Sequence, residues 1–189
     1  MRMRYETDRL ILRILEPKEA DSVLRFYLDN KELFERSEPE RQEHFYTKEH
    51  QRAILTAEYN MAVQGTLCRF WLFRKKAPAE IIGTISLRDI QRHYRQSCLL
   101  GYKLDERYFH QGYATEALRE VIRIAFDELL LHRITAEVMP DNEASIRLME
   151  RLGFVNEGIE RKIFFLNGKW TDHILYSLIS SHPVIPEKD

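Results

Sequence analysis

Cysteine is scarce. Only two of the 189 residues are cysteine, Cys68 and Cys98, far apart and in no C-x-x-C pair. That excludes a disulfide-stapled scaffold and a thiolate metal set, and it suits a reducing cytoplasm. The seven histidines are scattered without an H-E-x-x-H, so no metal site is expected. Net charge is also lacking: at −1 there is no basic field to favour general nucleic-acid binding. No apolar run approaches the roughly 20 residues of a membrane span. The first residues, MRMRYETDRL, are charged and lead into no apolar stretch, so no signal peptide is expected. The phosphate-binding patterns G-x-x-x-x-G-K-[ST] and G-x-G-x-x-G do not occur. What is present is an ordinary globular composition, 44% apolar and 31% charged. The length predicts one domain over residues 1–181, with a frayed, proline-containing tail at 182–189.

The pattern along the chain alternates between strand and helix signals. Arg9 to Leu15 (RLILRIL) has the two-residue period of a strand, and Glu16-Pro17 ends it. Ala20, Val23, Leu24, Tyr27 and Leu28 share one face of a helix over Lys18 to Asp29. Thr47 is placed to cap a second helix, Lys48 to Gln64, which Gly65 stops. Leu67 to Arg74, Glu80 to Leu87 and Ser97 to Leu104 are three strand runs in series, suggesting antiparallel hairpins. Gly101 inside the third predicts a bulge or a close backbone approach. A helix of about five turns opens at Ala114. Arg133 to Met139 is a strand, Asn142 to Leu152 a helix closed by Gly153, and Phe154 to Phe165 and Trp170 to Leu178 are strands around an Asn167-Gly168 turn. The order β-α-α-βββ-α-β-α-ββ predicts an α/β (α+β) fold, a mixed and mostly antiparallel sheet flanked by helices.

The most informative stretch is Leu99 to Thr115, LLGYKLDERYFHQGYAT. A strand feeds a glycine-containing turn that opens into a helix. The first N–H groups of a helix lack intrahelical partners, and its dipole makes that end positive. A phosphate can sit there, and small residues at 112 and 114 let a ligand approach the backbone. A purely structural turn would look the same. Gln111-Gly112-Tyr113-Ala114-Thr115-Glu116-Ala117 resembles the acyl-CoA pyrophosphate loop of the GNAT N-acetyltransferase family, most closely its ribosomal-protein N-terminal branch. The family pattern is [QR]-x-x-G-x-[GA]. Its last three positions fall on Gly112, Tyr113 and Ala114, while its first falls on Phe109, a departure that removes one polar contact. Asn142-Glu143-Ala144-Ser145 with Gly153-Phe154 resembles the family's second signature.

The resemblance implies an acetyl-CoA-dependent N-acetyltransferase. Gln111 to Thr115 would cradle the pyrophosphate, Asn142 would hold the pantetheine arm or an ordered water, and the backbone at Tyr102 to Leu104 would pair with the pantetheine amides, leaving the Tyr102 and Leu104 side chains in the core. Acetyl transfer to an amine also needs a base for the amine proton and a donor for the leaving thiolate. Ser145, Leu148, Met149 and Leu152 follow i, i+3, i+4, i+7, which puts the Ser145 hydroxyl on the inward face. A bond to its own helix backbone is the alternative. In many family members a tyrosine near Met149 donates to the thiolate. Methionine has no proton to give, and Ser145 is the residue expected to serve instead. Glu137 points away from Ile134, Ala136 and Val138 within a central strand, where a carboxylate is costly unless a cleft solvates it or a cation pairs with it. It is the base candidate; the alternatives are a water chain as the route for the proton and a salt bridge from Glu137 to an arginine such as Arg133 or Arg161.

Direct transfer in a ternary complex is expected, since neither cysteine has a nucleophile setting. The family branch implies the N-terminal α-amine of a protein, with a ribosomal protein as the example. A polyamine or antibiotic-like amine is the close alternative, and a CoA-binding module without turnover is a third. The acidic and aromatic residues of 30–64 (Glu32, Phe34, Glu35, Glu38, Glu40, Phe45, Tyr46) would suit a cationic acceptor, though such runs usually form a solvated face. Neither a membrane nor a nucleic-acid partner is expected, and the chain is expected to be a monomer or homodimer.

Overall fold

A computed structural model describes residues 1–36, 38–39 and 41–182. Glu40 and nearly all of the tail lie outside the described residues. In chain order the elements are β1 (Arg4–Glu6), β2 (Leu10–Arg13), α1 (Ala20–Asp29), α2 (Lys31–Glu35), α3 (Lys48–Gln64), β3 (Cys68–Arg74), β4 (Ala77–Gln91), β5 (Ser97–Leu104), α4 (Tyr113–Arg123), β6 (Arg133–Val138), α5 (Glu143–Arg151), β7 (Val155–Leu166) and β8 (Lys169–Ile179). They form one eight-stranded sheet in the order β1-β2-β3-β4-β5-β6-β8-β7. Only β5 and β6 run parallel. This is the mixed, mostly antiparallel sheet that the sequence pattern predicts.

Helices cover both faces, and the strand alternation shows which residues they cover. Leu10 and Leu12, Phe70 and Leu72, and Ile134 and Ala136 belong to a core that includes Leu118, Val121 and Ile124 from α4 and its continuation. Ile11, Trp71 and Phe73 belong to a second core with Val23, Phe26 and Tyr27 of α1 and Leu55 of α3. Burying each large side chain is worth about 1.5–3 kcal/mol, so both faces contribute to the fold.

The local stop signals act as their chemistry requires. The Thr47 hydroxyl accepts from the His50 N–H at 3.3 Å, and Gly65 ends α3 in the left-handed conformation. Asn167 and Gly168 both have positive φ, as a two-residue hairpin turn demands. Four expectations need correction. β1 is an additional three-residue strand, too short to show a period. The segment after α1 holds the short helix α2. The helix from Gly112 leaves α geometry at Ile124 and continues as a π turn to Glu128, so it does not run uniformly for five turns. Gly101 sits in regular register opposite Ser86, and the irregularity falls between Arg88 and Gln91, where Asp89 takes positive φ.

The feature that positions the site is a split in the sheet. β5 and β6 pair from Ser97 opposite Arg133 to Leu100 opposite Ala136, and there the pairing ends. Gly101 to Leu104 continue against β4, while Glu137 and Val138 continue against β8. A parallel pair that opens midway leaves strand backbone free to hydrogen-bond a ligand.

Candidate active site

Two cavities meet at the split. The first, about 720 Å³, is lined by Tyr102, Leu104, Gly112 to Thr115, and Asn142, Ser145 and Arg147. The second, about 460 Å³, is lined by Thr84, Ser86, Arg88, Glu137, Met149 and His173. Tyr102, Lys103, Asn142, Ser145 and Glu38 border both. The sheet is therefore open from one side to the other at the point where β5 and β6 part.

The wall of the first cavity starts from Gly112, which holds φ +80 and precedes the first turn of α4. The N–H groups of Tyr113, Ala114 and Thr115 have no intrahelical acceptor. A Cβ at residue 112 would stand 3.3 Å from the Arg9 guanidinium. Arg9, just before β2, braces the loop. It donates to the Gln111 carbonyl at 3.0 Å and to Glu116 at 2.6 Å, and it stacks over Tyr113 at 4.5 Å. Gln111 itself does not line the cavity; its side chain donates back to the Arg107 carbonyl at 2.8 Å. These residues fit a diphosphate: bare backbone donors, a helix N-terminus and a glycine where bulk would intrude.

At the crossing, the Tyr102 and Ser145 hydroxyls share a hydrogen bond of 2.8 Å. Ser145 is thus not spent on its own helix, and its N–H is capped by Asn142 Oδ1 at 3.0 Å. The expectation that Tyr102 is a plain core side chain is corrected. Its ring packs against the core, but its hydroxyl reaches the crossing. Burial pushes that hydroxyl above the ordinary phenol range, and the bond to Ser145 opposes this. Leu104 is core, as expected. Met149, 1% exposed and one turn along α5 from Ser145, brings no donor.

Glu137 faces the second cavity. Burial raises its pKa, assisted by the Glu160 and Asp89 carboxylates and opposed by Arg88. Neither expected arginine is its partner. Arg133 pairs with Glu157, and the cation beside Glu137 is Arg88 at 3.7 Å, beyond hydrogen-bond reach. Lys103 was not singled out from sequence. It lies over Tyr27 and Phe34 and binds Glu38 at 2.6 Å, and burial lowers its pKa to about 8. Glu38 also binds Arg41 at 2.5 Å, so, among the described residues, the acidic residue of 30–64 that reaches the cavities is already paired with two cations. Glu35 accepts from Tyr46, Glu32 is exposed, and Phe34 and Phe45 are core. Local periodicity carries no sign of Lys103, Arg88 or His173, because their partners are distant in the sequence.

Comparison with known proteins agrees with this geometry. The acetyltransferase (GNAT) domain family matches residues 9–155. The [ribosomal protein uS5]-alanine N-acetyltransferase of Escherichia coli is 32% identical over 179 residues, spanning 94% of this chain and 91% of that protein. The crystal structure of ribosomal-protein-S5-alanine acetyltransferase from Vibrio fischeri superposes with a TM-score of 0.90 at 30% identity, covering 95% of this chain and 98% of that one. Mycobacterium smegmatis RimJ, solved in complex with CoA-disulfide, shares the fold with a TM-score of 0.83 at 24% identity, covering 90% and 82%. The chain belongs to the GNAT acetyltransferase family. It is an acetyl-CoA-dependent acetyltransferase whose relatives include ribosomal-protein acetyltransferases.

Proposed function

We propose that this enzyme transfers acetyl from acetyl-CoA directly to the N-terminal α-amine of a protein, with the two substrates entering from opposite faces of the sheet. The observation that carries this is the pair of cavities joined at Tyr102 and Ser145. Residues Gly112 to Thr115 hold the diphosphate, Asn142 and the freed backbone of Tyr102 to Leu104 hold the pantetheine arm, and Arg9 keeps the loop in place through Gln111. Acetyl-CoA supplies the activated thioester. The amine enters from the side of Glu137.

Glu137 takes the amine proton. Its raised pKa brings it closer to the working pH, where a general base is most effective. Ser145 donates its proton to the leaving sulfur and takes the Tyr102 proton across the 2.8 Å bond, and solvent reprotonates the Tyr102 oxygen as the products leave, so the pair fills the role Met149 leaves empty. Holding both substrates at one crossing removes much of the entropic barrier. Burial pushes the Cys68 thiol to about 11 and the Cys98 thiol to about 12, so neither offers a thiolate for a covalent intermediate. The buried free thiols suit the cytoplasm, where ribosomal proteins are made.

That the relatives are ribosomal-protein alanine acetyltransferases by name supports a protein acceptor. The test is mass spectrometry of a heptapeptide with a free N-terminal alanine after incubation with acetyl-CoA. Acetylation on the α-amine is expected. Acetylation of spermidine but not of the peptide would favour a small-molecule acceptor.

A further inference from the structure

The second cavity holds a side chain with no role in the mechanism above. His173 on β8 is 6% exposed, lines that cavity and packs its ring 4.6 Å from Phe164. Its Nδ1 is buried and has no hydrogen-bond partner among the described residues. Two more buried atoms on the same face share that condition, Glu137 Oε2 and Glu160 Oε2. Glu160 lies directly opposite His173 across β7 and β8. Glu137 lies opposite Leu175, two residues along β8 and therefore on the same face as His173. A buried polar atom without a partner is costly, and two side chains that carry one, His173 and Glu137, line this cavity with Glu160 beside them on β7, which marks a place where a ligand's donors belong.

We propose that His173 is an acceptor-binding residue: its bare Nδ1 accepts one hydrogen bond from the incoming amine while Glu137 accepts another, and the Glu160 carboxylate draws the ammonium form inward. This rests on the proposed entry of the amine from the Glu137 side. A primary ammonium has three N–H donors, enough for both acceptors and one more. Burial lowers the His173 pKa and so favours the neutral ring, and the proposal takes the tautomer with its proton on Nε2, which leaves the Nδ1 lone pair to accept. The other charged groups on the cavity wall are Arg69 of β3, Arg88 of β4, Lys103 of β5 and Glu38, and Asp141 after β6, Asp172 of β8 itself and the Thr171 backbone also act on the ring. Arg88 sits 3.7 Å from Glu137, so an amine entering there displaces a cation rather than competing with a formed hydrogen bond.

The test combines two variants with one spectroscopic titration of the wild-type protein. His173→Asn places an amide oxygen close to the position of Nδ1, whereas His173→Leu removes the acceptor. His173→Leu is expected to lose about tenfold or more in kcat/KM for the alanine peptide, with the KM for acetyl-CoA unchanged, and His173→Asn to stay within a few-fold of wild type. Nitrogen-15 NMR of the histidine-labelled enzyme, saturated with CoA, is expected to show the His173 Nδ1 resonance move on addition of alaninamide. An unmoved resonance overturns the proposal whatever the kinetics, as does equal loss in both variants, which would mark a structural role. A wild-type enzyme that leaves the peptide unmodified would overturn the protein-acceptor reading instead. Spermidine then replaces alaninamide in the titration, and the resonance decides His173 by the same criterion.

Discussion

At the scale of single residues the proposed chemistry depends on a few polar atoms. Glu137→Gln keeps the shape and removes the base, so kcat should fall on the order of 10²-fold or more. In the wild type, activity should fall as pH drops through the Glu137 pKa, because a protonated carboxyl cannot accept the amine proton. Burial raises that pKa, so this limb should lie above the ordinary glutamate range, and it should vanish in the glutamine variant. Steady-state pH profiles of both proteins check this. Ser145→Ala and Tyr102→Phe each break the shared hydrogen bond. If they act as one relay, the double variant should lose little more in kcat than the worse single variant, and a double-mutant cycle measures that coupling. Independent losses that multiply would remove Tyr102 from the relay.

At the scale of elements, two predictions concern local geometry. Gly112→Val forces a β-branched residue into φ +80 and puts a Cβ 3.3 Å from Arg9. Acetyl-CoA affinity by calorimetry should fall at least about tenfold, since the left-handed conformation alone costs roughly 1–2 kcal/mol. Thr47→Ala removes the cap of α3. It should cost about 1 kcal/mol, or roughly 2–4 °C in Tm by scanning calorimetry, without touching kcat. Most elements were legible because their signals are local. Gly65, Gly153 and Asn167-Gly168 act through their own backbone angles, and the inward position of Ser145 follows from helical spacing. What was not legible is set by tertiary contact. The π turn at Ile124–Glu128 has no distinctive composition. The Tyr102 hydroxyl meets a serine 43 positions away, and Lys103 finds Glu38 at a separation of 65. His173 looks like any residue of a strand until β6 and β7 are placed beside it.

At the scale of the whole molecule, the split between β5 and β6 lies where two cavities meet. In the proposed mechanism one substrate binds each face and the two meet through the sheet. The absence of an activated thiol and the joined cavities together predict sequential kinetics. Initial-rate lines in acetyl-CoA and peptide should intersect, whereas parallel lines would indicate an acyl-enzyme. The fold class and the family were both legible from sequence, because the Gln111 to Thr115 loop and the Asn142 to Ser145 turn carry compact motifs. The acceptor was not, because the second cavity is assembled from single residues on β4, β5, β6 and β8.

The most direct measurement is amine-dependent release of CoA thiol from acetyl-CoA with the alanine heptapeptide, with the modified peptide sequenced by mass spectrometry. The account predicts thiol release that requires the peptide, saturates with it and leaves the acetyl group on its α-nitrogen. Tight acetyl-CoA binding with no peptide-dependent release, or acetyl found only on a side chain, would contradict it.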